Sequence, residues 1–298
     1  MRRKVTKKGY NNTMREYDDI TLKKVQQAEL GILKDFMAIC DRHGLDYFGI
    51  AGTGIGALRH GGFIPWDDDI DVAIPREDYE KFLEYAKTEL DDKYIIMNCE
   101  YDKNYPLMTT RIMIKNSEFR EEALKDIKCH LGIFLDVYPF DKISDDPKEF
   151  KKQARDAWFW SKMLILRSIP FPVLGFKGIK AKLVHAACAI VHGLMVLFRI
   201  SKKWLYRKCY EASTRYNHYE KTERLDFLCD TTPYMNIYKV ADIYPLEKKQ
   251  FEDIMLNFPR NMHENLTGMY GDYMQLPPKE KRKNHFPYSL VFEDEFGK

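Results

Sequence analysis

The sequence predicts an α/β protein built on a mixed sheet with flanking helices, followed by a mainly helical part. Three observations predict it. Apolar residues recur at helical spacing over 20–43 and again over 76–90. Short apolar runs bounded by glycine or proline suit strands near 45–51, 69–74, 94–98, 108–115 and 131–137. From 147 onward the pattern changes to long helical and apolar stretches. A chain of 298 residues buries a sizeable core without disulfide staples.

Taken in order, the first helix carries Leu22, Val25, Ile32, Phe36 and Ile39 on one stripe, and Gly44 supplies its stop. It should pack on the strands near 45–51, 69–74 and 131–137. Gly52, Thr53, Gly54, Ile55 and Gly56 form a glycine-rich turn into a short helix ending near His60. The helix at 76–90 places Tyr79, Phe82, Leu83 and Ala86 on one face. Arg111 and Lys115 share a face of one strand, where cations meet either bound phosphates or, more commonly, solvent. Pro147 opens a helical stretch to about 168, followed by a Pro/Gly loop at 169–175. Leu183 to Ile200 is an almost continuous apolar run with Lys177, Lys180 and Lys182 before it and Lys202, Lys203 and Arg207 after it. Three readings of that run stand open: a helix buried in the protein, an interfacial membrane-docking helix, and a bilayer span shortened by Arg199 and two histidines. His185, Cys188 and His192 share a helical face, which suits ordinary packing better than a zinc site.

The chemistry concentrates in Asp67, Asp68, Asp69 and Asp71, four carboxylates in an apolar-flanked run. On a strand, residues two apart share a face, so Asp67, Asp69 and Asp71 point together and Asp68 points away. Neighbouring carboxylates resist ionising together, and a hard cation with oxygen ligands removes the conflict. Magnesium or manganese fits such a set. The upstream strand, glycine turn and helix start make an anion site, with a hydroxyl from Thr53 and a cation from Arg59. Phosphoryl chemistry needs both features.

Residues 51–76, AGTGIGALRHGGFIPWDDDIDVAIPR, resemble the core of the LicD family of phosphotransferases, which includes fukutin-related protein. Shorter stretches near 130–143, 244–252 and 270–285 are also similar to that family. The resemblance implies a nucleotidyltransferase-like sheet and makes Asp136 the third metal ligand beside Asp69 and Asp71. From the residues alone, Asp136 is a strand-end acid. The family transfers phosphocholine, or a related phospho-alcohol, from a cytidine diphosphate alcohol to a glycan. The resemblance therefore implies such a donor and a cell-surface acceptor such as teichoic acid or lipopolysaccharide, often lipid-linked. Gly52, Thr53 and Gly54 would hold the diphosphate, with Arg59. Asp136 would complete the metal set and activate the acceptor hydroxyl. Asp67 would orient the ligands, and Trp66 is the aromatic nearest the motif for a quaternary ammonium.

Composition fits a single enzyme with a cytoplasmic setting. A net charge of +3 does not argue for nucleic acid. Six cysteines with no Cys-x-x-Cys pair read as reduced thiols. The expected organisation is a basic tail at 1–18, a catalytic core at 19–146, a helical region at 147–240 and a C-terminal segment at 241–298 that completes the domain. The tail and the cationic stretch Lys279–His285 suit anionic surfaces or substrates as well as plain solvation. Two rivals remain in view: a nucleotidyltransferase that releases pyrophosphate, and a non-catalytic glycan- or membrane-binding protein.

Overall fold

The computed structural model describes residues 17–175, 177–230, 234 and 236–295. The basic stretch at 1–15 lies outside them. Helix α1 (Asp19–His43) is capped by the Asp18 carboxylate, which accepts from the Thr21 amide, and ends at Gly44 with φ +62°. Strand β1 (Phe48–Gly49), helix α2 (Ala51–His60), strand β2 (Asp71–Pro75) and helix α3 (Arg76–Glu89) follow. Next come β3 (Tyr94–Met97), β4 (Thr110–Ile114), β5 (Glu118–Arg120) and the long β6 (Phe134–Lys142). The central strands run in the order β1-β2-β6-β4-β3, with β2 parallel to β6 and the other pairs antiparallel. The expected mixed sheet with flanking helices is therefore present.

Beyond it lie α4 (Pro147–Ser168), α5 (Ile179–Leu197) and α6 (Lys202–Ser213). Then β7 (Arg224–Asp226) and β8 (Tyr238–Lys239) extend the sheet from β6. Helix α7 (Val240–Ile243), the hairpin β9 (Glu247–Phe251) and β10 (Ile254–Phe258), helix α8 (Met262–Tyr270) and β11 (Ser289–Val291), paired with β5, complete the fold.

Side-chain alternation along the strands sorts the core. Val72, Ile74, Leu135 and Val137 join one apolar cluster with Phe36 and Phe82 of α1 and α3. Ala73 and Phe140 join Ala157 and Cys209 of α4 and α6 in a second cluster on the opposite face. Asp71, Asp136 and Tyr138 share the parity of Ala73 and Phe140, so they stand on the second face. β2 and β6 are in register with Asp71 beside Asp136.

Three expectations change. The glycine-rich stretch is not a turn but the first half of α2. Its glycines admit close packing: a Cβ on Gly56 would sit 2.3 Å from the Gly62 carbonyl oxygen. The acidic strand begins at Asp71, so Asp67–Ile70 form an extended lead-in and Asp68 does not point to solvent. The buried-helix reading of 183–200 is wrong, because only Met195 of α5 is buried. Helices α4 and α6 pack together on the sheet, and α5 joins them through Met195, beside Leu164 and Leu205. Helices α6 and α8 and the β9–β10 hairpin were not foreseen.

Candidate active site

A cleft of about 300 Å³ opens on the second face of the sheet. Asp69, Asp71 and Asp136 line it, with Arg111, Tyr138 and His285. Ile50 and Ala51, at the β1–α2 junction, lie at its edge. Ala51 has φ +47°, a left-handed conformation rare for a residue with a side chain. That sharp turn aims the start of α2 at the cleft, where the first helical amides have no carbonyl one turn before them.

Each acid has its own surroundings. Burial raises the proton affinity of Asp71 well above the ordinary carboxylate range, and the Asp69 and Asp136 charges add to it. Asp71 Oδ1 is buried with no hydrogen-bond partner among the described residues. Its backbone amide donates to the Thr53 hydroxyl at 2.8 Å, which fixes the start of β2 against α2. Asp69 is raised by burial, opposed by His285 and reinforced by Asp68. Asp136 is raised by burial against the pull of Arg111, whose guanidinium meets both its oxygens at 2.9 and 3.2 Å. Arg111 also reaches Glu121 at 2.6 Å and lies 3.7 Å over the Phe134 ring. It is neither a solvent-facing cation nor a free phosphate clamp. Lys115, four residues on, lies on the surface beside Asp91.

Asp68 and Asp67 hold the run in place. Asp68 is fully buried and accepts from the Tyr17 hydroxyl at 2.7 Å and from the His285 amide at 2.6 Å. The sequence reading gave Asp68 no role, because the β-strand alternation it assumed starts only at Asp71. The His285 ring lies 3.3 Å from Asp69 and 3.7 Å from Asp68, and the Asp69 charge raises its pKa well above the ordinary value. Asp68, Asp69 and His285 bring ligand atoms within 4.8 Å of one another. Glu29, fully buried in α1 with both oxygens unpartnered, is pushed strongly toward its neutral form by burial and by the same acids. The Asp67 carboxylate lies against α2, 2.9 Å from where a Cβ on Gly52 would be, and is raised by burial and by Asp69.

The remaining sequence candidates lie outside the lining. Thr53 is spent on Asp71, and Gly54 packs against Met262 of α8. Arg59 donates to the Tyr273 carbonyl. Trp66 is covered by Arg282 at 4.1 Å, with Arg59 at 5.9 Å. Conversely, Tyr138 and Glu29 escaped notice, while Arg111 and His285 were weighed as cations for an anionic substrate and not as partners of the acids. Nothing local marks His285 as a partner of an acid run 217 residues earlier.

The donor set suits a small hard cation and an anionic substrate. A family model described as LicD/FKTN/FKRP, nucleotidyltransferase domain, matches residues 44–176, which contain the cleft acids Asp69, Asp71 and Asp136. Over 273 residues the chain is 32% identical to the lipopolysaccharide cholinephosphotransferase LicD of Haemophilus influenzae, spanning 89% of this chain and 96% of that protein. The chain belongs to the LicD family. It is therefore an enzyme of a phosphotransferase family. Uncharacterised proteins of Rickettsia prowazekii and Rickettsia typhi are each 40% identical to it over 161 and 157 residues, 46% of this chain and 56% and 48% of their own lengths. His285 and the cleft residues Phe227 and Tyr270 fall outside the LicD nucleotidyltransferase match.

Proposed function

We propose that this LicD-family enzyme transfers phosphocholine from cytidine diphosphate choline to a hydroxyl of a lipopolysaccharide-type glycan, with a divalent metal. The observation that carries the reading is the buried Asp71 Oδ1, without a partner, in a cleft it shares with Asp69 and Asp136. A carboxylate oxygen buried in that company suits a hard cation better than any protein contact. Asp69, Asp71 and Asp136 would hold magnesium or manganese, which when bound supplies charge neutralisation for the phosphoryl oxygens. The named activity of the Haemophilus relative supports choline as the alcohol and lipopolysaccharide as the acceptor class.

In this reading the acceptor hydroxyl attacks the phosphorus that bears choline, and the bond to cytidine monophosphate breaks. Arg111 fixes Asp136 in position. Asp136 would take the proton that the hydroxyl loses, directly or by way of the bound metal. Quaternary ammonium groups need aromatic faces and nearby negative charge. Tyr138 and Phe227, with ring centroids 5.1 Å apart, line the cleft with Tyr270 and Asp230 and meet that need.

The test follows the leaving group. Purified enzyme with cytidine diphosphate choline and a glycan acceptor should release cytidine monophosphate, and chelation should stop the release. Pyrophosphate release from cytidine triphosphate instead would replace this reading with nucleotidyl transfer.

A further inference from the structure

Helix α5 presents an apolar stripe that nothing among the described residues covers. Leu183, Ile190, Leu194, Leu197 and Phe198 are 67, 63, 47, 72 and 70% exposed. Phe171 and Val173, in the loop before α5, are 62 and 71% exposed. So large a run of exposed apolar side chains marks a binding surface. The opposite side of α5 is fixed to the protein. The His192 ring contacts the Leu166 carbonyl of α4 at 2.8 Å, and Met195 is buried in a cluster with Leu164 and Leu205. The stripe is thus held facing outward.

Charge identifies what it faces. Between Ala157 and Tyr210 there is no Asp or Glu, against ten Lys and Arg. Lys177 and Lys182 lie exposed near one end of the stripe, and Arg199 and Lys203 near the other. An anionic leaflet attracts such a rim, whereas a second copy of the same face would bring like charges together. Attachment argues for lying on the bilayer rather than crossing it. Helix α5, at 19 residues, is long and apolar enough to cross, but its inner side is held to α4 and α6 through His192 and Met195.

We propose that the exposed face of α5, with Phe171 and Val173, docks this enzyme on an anionic bilayer surface, apolar stripe in the headgroup boundary and basic ends against the phosphates. The consequence for the cleft is geometric. Ser161, Lys162 and Ile165 of α4 line the cleft, while Leu166 of the same helix holds α5. The thickness of α4 and α5 together, about 20 Å, then separates the docked face from the cleft wall.

Vesicle flotation tests docking without substrate, so its outcome is independent of the transfer chemistry. The full chain should float with vesicles of phosphatidylglycerol and phosphatidylcholine at about 50 mM salt and be released at about 500 mM, as screening weakens the attraction. It should not float with phosphatidylcholine alone. Ile190→Glu with Leu194→Glu should cut the floated fraction at least about tenfold with helical content unchanged. Lys177→Gln, Lys182→Gln and Lys203→Gln together alter only exposed positions and should do the same, which keeps the test valid should the first variant misfold. Failure of the native chain to float, or flotation indifferent to both variants, overturns the proposal. Release by detergent but not by salt overturns it in favour of a span. A native dimer that Ile190→Glu converts to monomer, with no flotation by either, assigns the face to a second copy instead.

Discussion

Asp71→Asn separates the electrostatics of the site from its catalysis. In the metal-free protein the substitution removes one of three carboxylates that crowd the cleft and leaves Asp69, Asp136 and the Thr53 bond to the backbone amide untouched. Asp71 Oδ1 now lies buried without a partner, and an amide there can donate to its acidic neighbours. A buried polar atom left unsatisfied costs about 1–3 kcal/mol, so the variant should be at least as stable as the native protein in chelator, and at most about that much more stable. Metal reverses the order. Saturation at about a hundred times the dissociation constant stabilises a binding protein by about 2.7 kcal/mol, and the variant should lose most of that gain. Transfer should fall at least about a hundredfold, the usual cost of removing one electrostatic stabiliser of the reacting phosphoryl. Thermal melts with chelator and with magnesium, beside an assay of cytidine monophosphate release, read all three. A variant that melts lower in chelator, or retains turnover within tenfold, refutes the reasoning.

Further outcomes follow from other groups. Arg111→Met strands the Asp136 and Glu121 carboxylates in the interior and should cost about 3–5 kcal/mol near pH 8 in denaturant titrations. Without the guanidinium both folded-state pKa values rise, so the folded state gains as protons bind. The deficit should shrink by pH 5, and an equal deficit at both pH values would contradict the pairing. Asp226, buried with neither oxygen partnered, is pushed up to about 8 by burial and Asp230. A carboxyl raised on folding favours the folded state while protonated and loses that contribution as pH climbs from about 4 to 8. Asp226→Asn should therefore raise the melting temperature at pH 8 and change it little at pH 4. Asp68→Ala removes the acceptor of the Tyr17 hydroxyl and the His285 amide and should destabilise the chain by about 1.5–3 kcal/mol or more, the range for one hydrogen bond to a charged group. An unchanged melting temperature would mean that Asp68 anchors nothing.

Periodicity made the core legible. The helices at 20–43, 76–90 and 147–168 agree with α1, α3 and α4 to within a residue or two, because each has an apolar stripe and clear end signals. Asp69 and Asp71 do share the cleft, but not through strand alternation, because β2 starts only at Asp71 and Asp69 lies before it. Local pattern failed where tertiary contacts decide. Glycines 52, 54 and 56 signalled a turn, yet they serve a helix whose neighbours press against it. Asp68 looked idle because its partners, Tyr17 and His285, lie 51 and 217 residues away. Arg111 looked like a surface cation because no spacing shows that β4 and β6 pair it with Asp136. The apolar run of α5 has the composition of a core helix, and only the packing of α4 against α6 reveals that it faces outward.

The contacts around Asp68 set an order of events during synthesis. Tyr17 reaches Asp68 from one end of the fold, His285 reaches it from the other, and the Tyr17 and Phe286 rings meet at 4.7 Å. While the chain is being made, the sheet with Asp71 and Asp136 can assemble long before residue 285 leaves the ribosome. Until then Asp69 lacks its histidine and Asp68 lacks one of its two clasps. The nascent chain thus carries the acid cluster without its lock until the segment around His285 has been made.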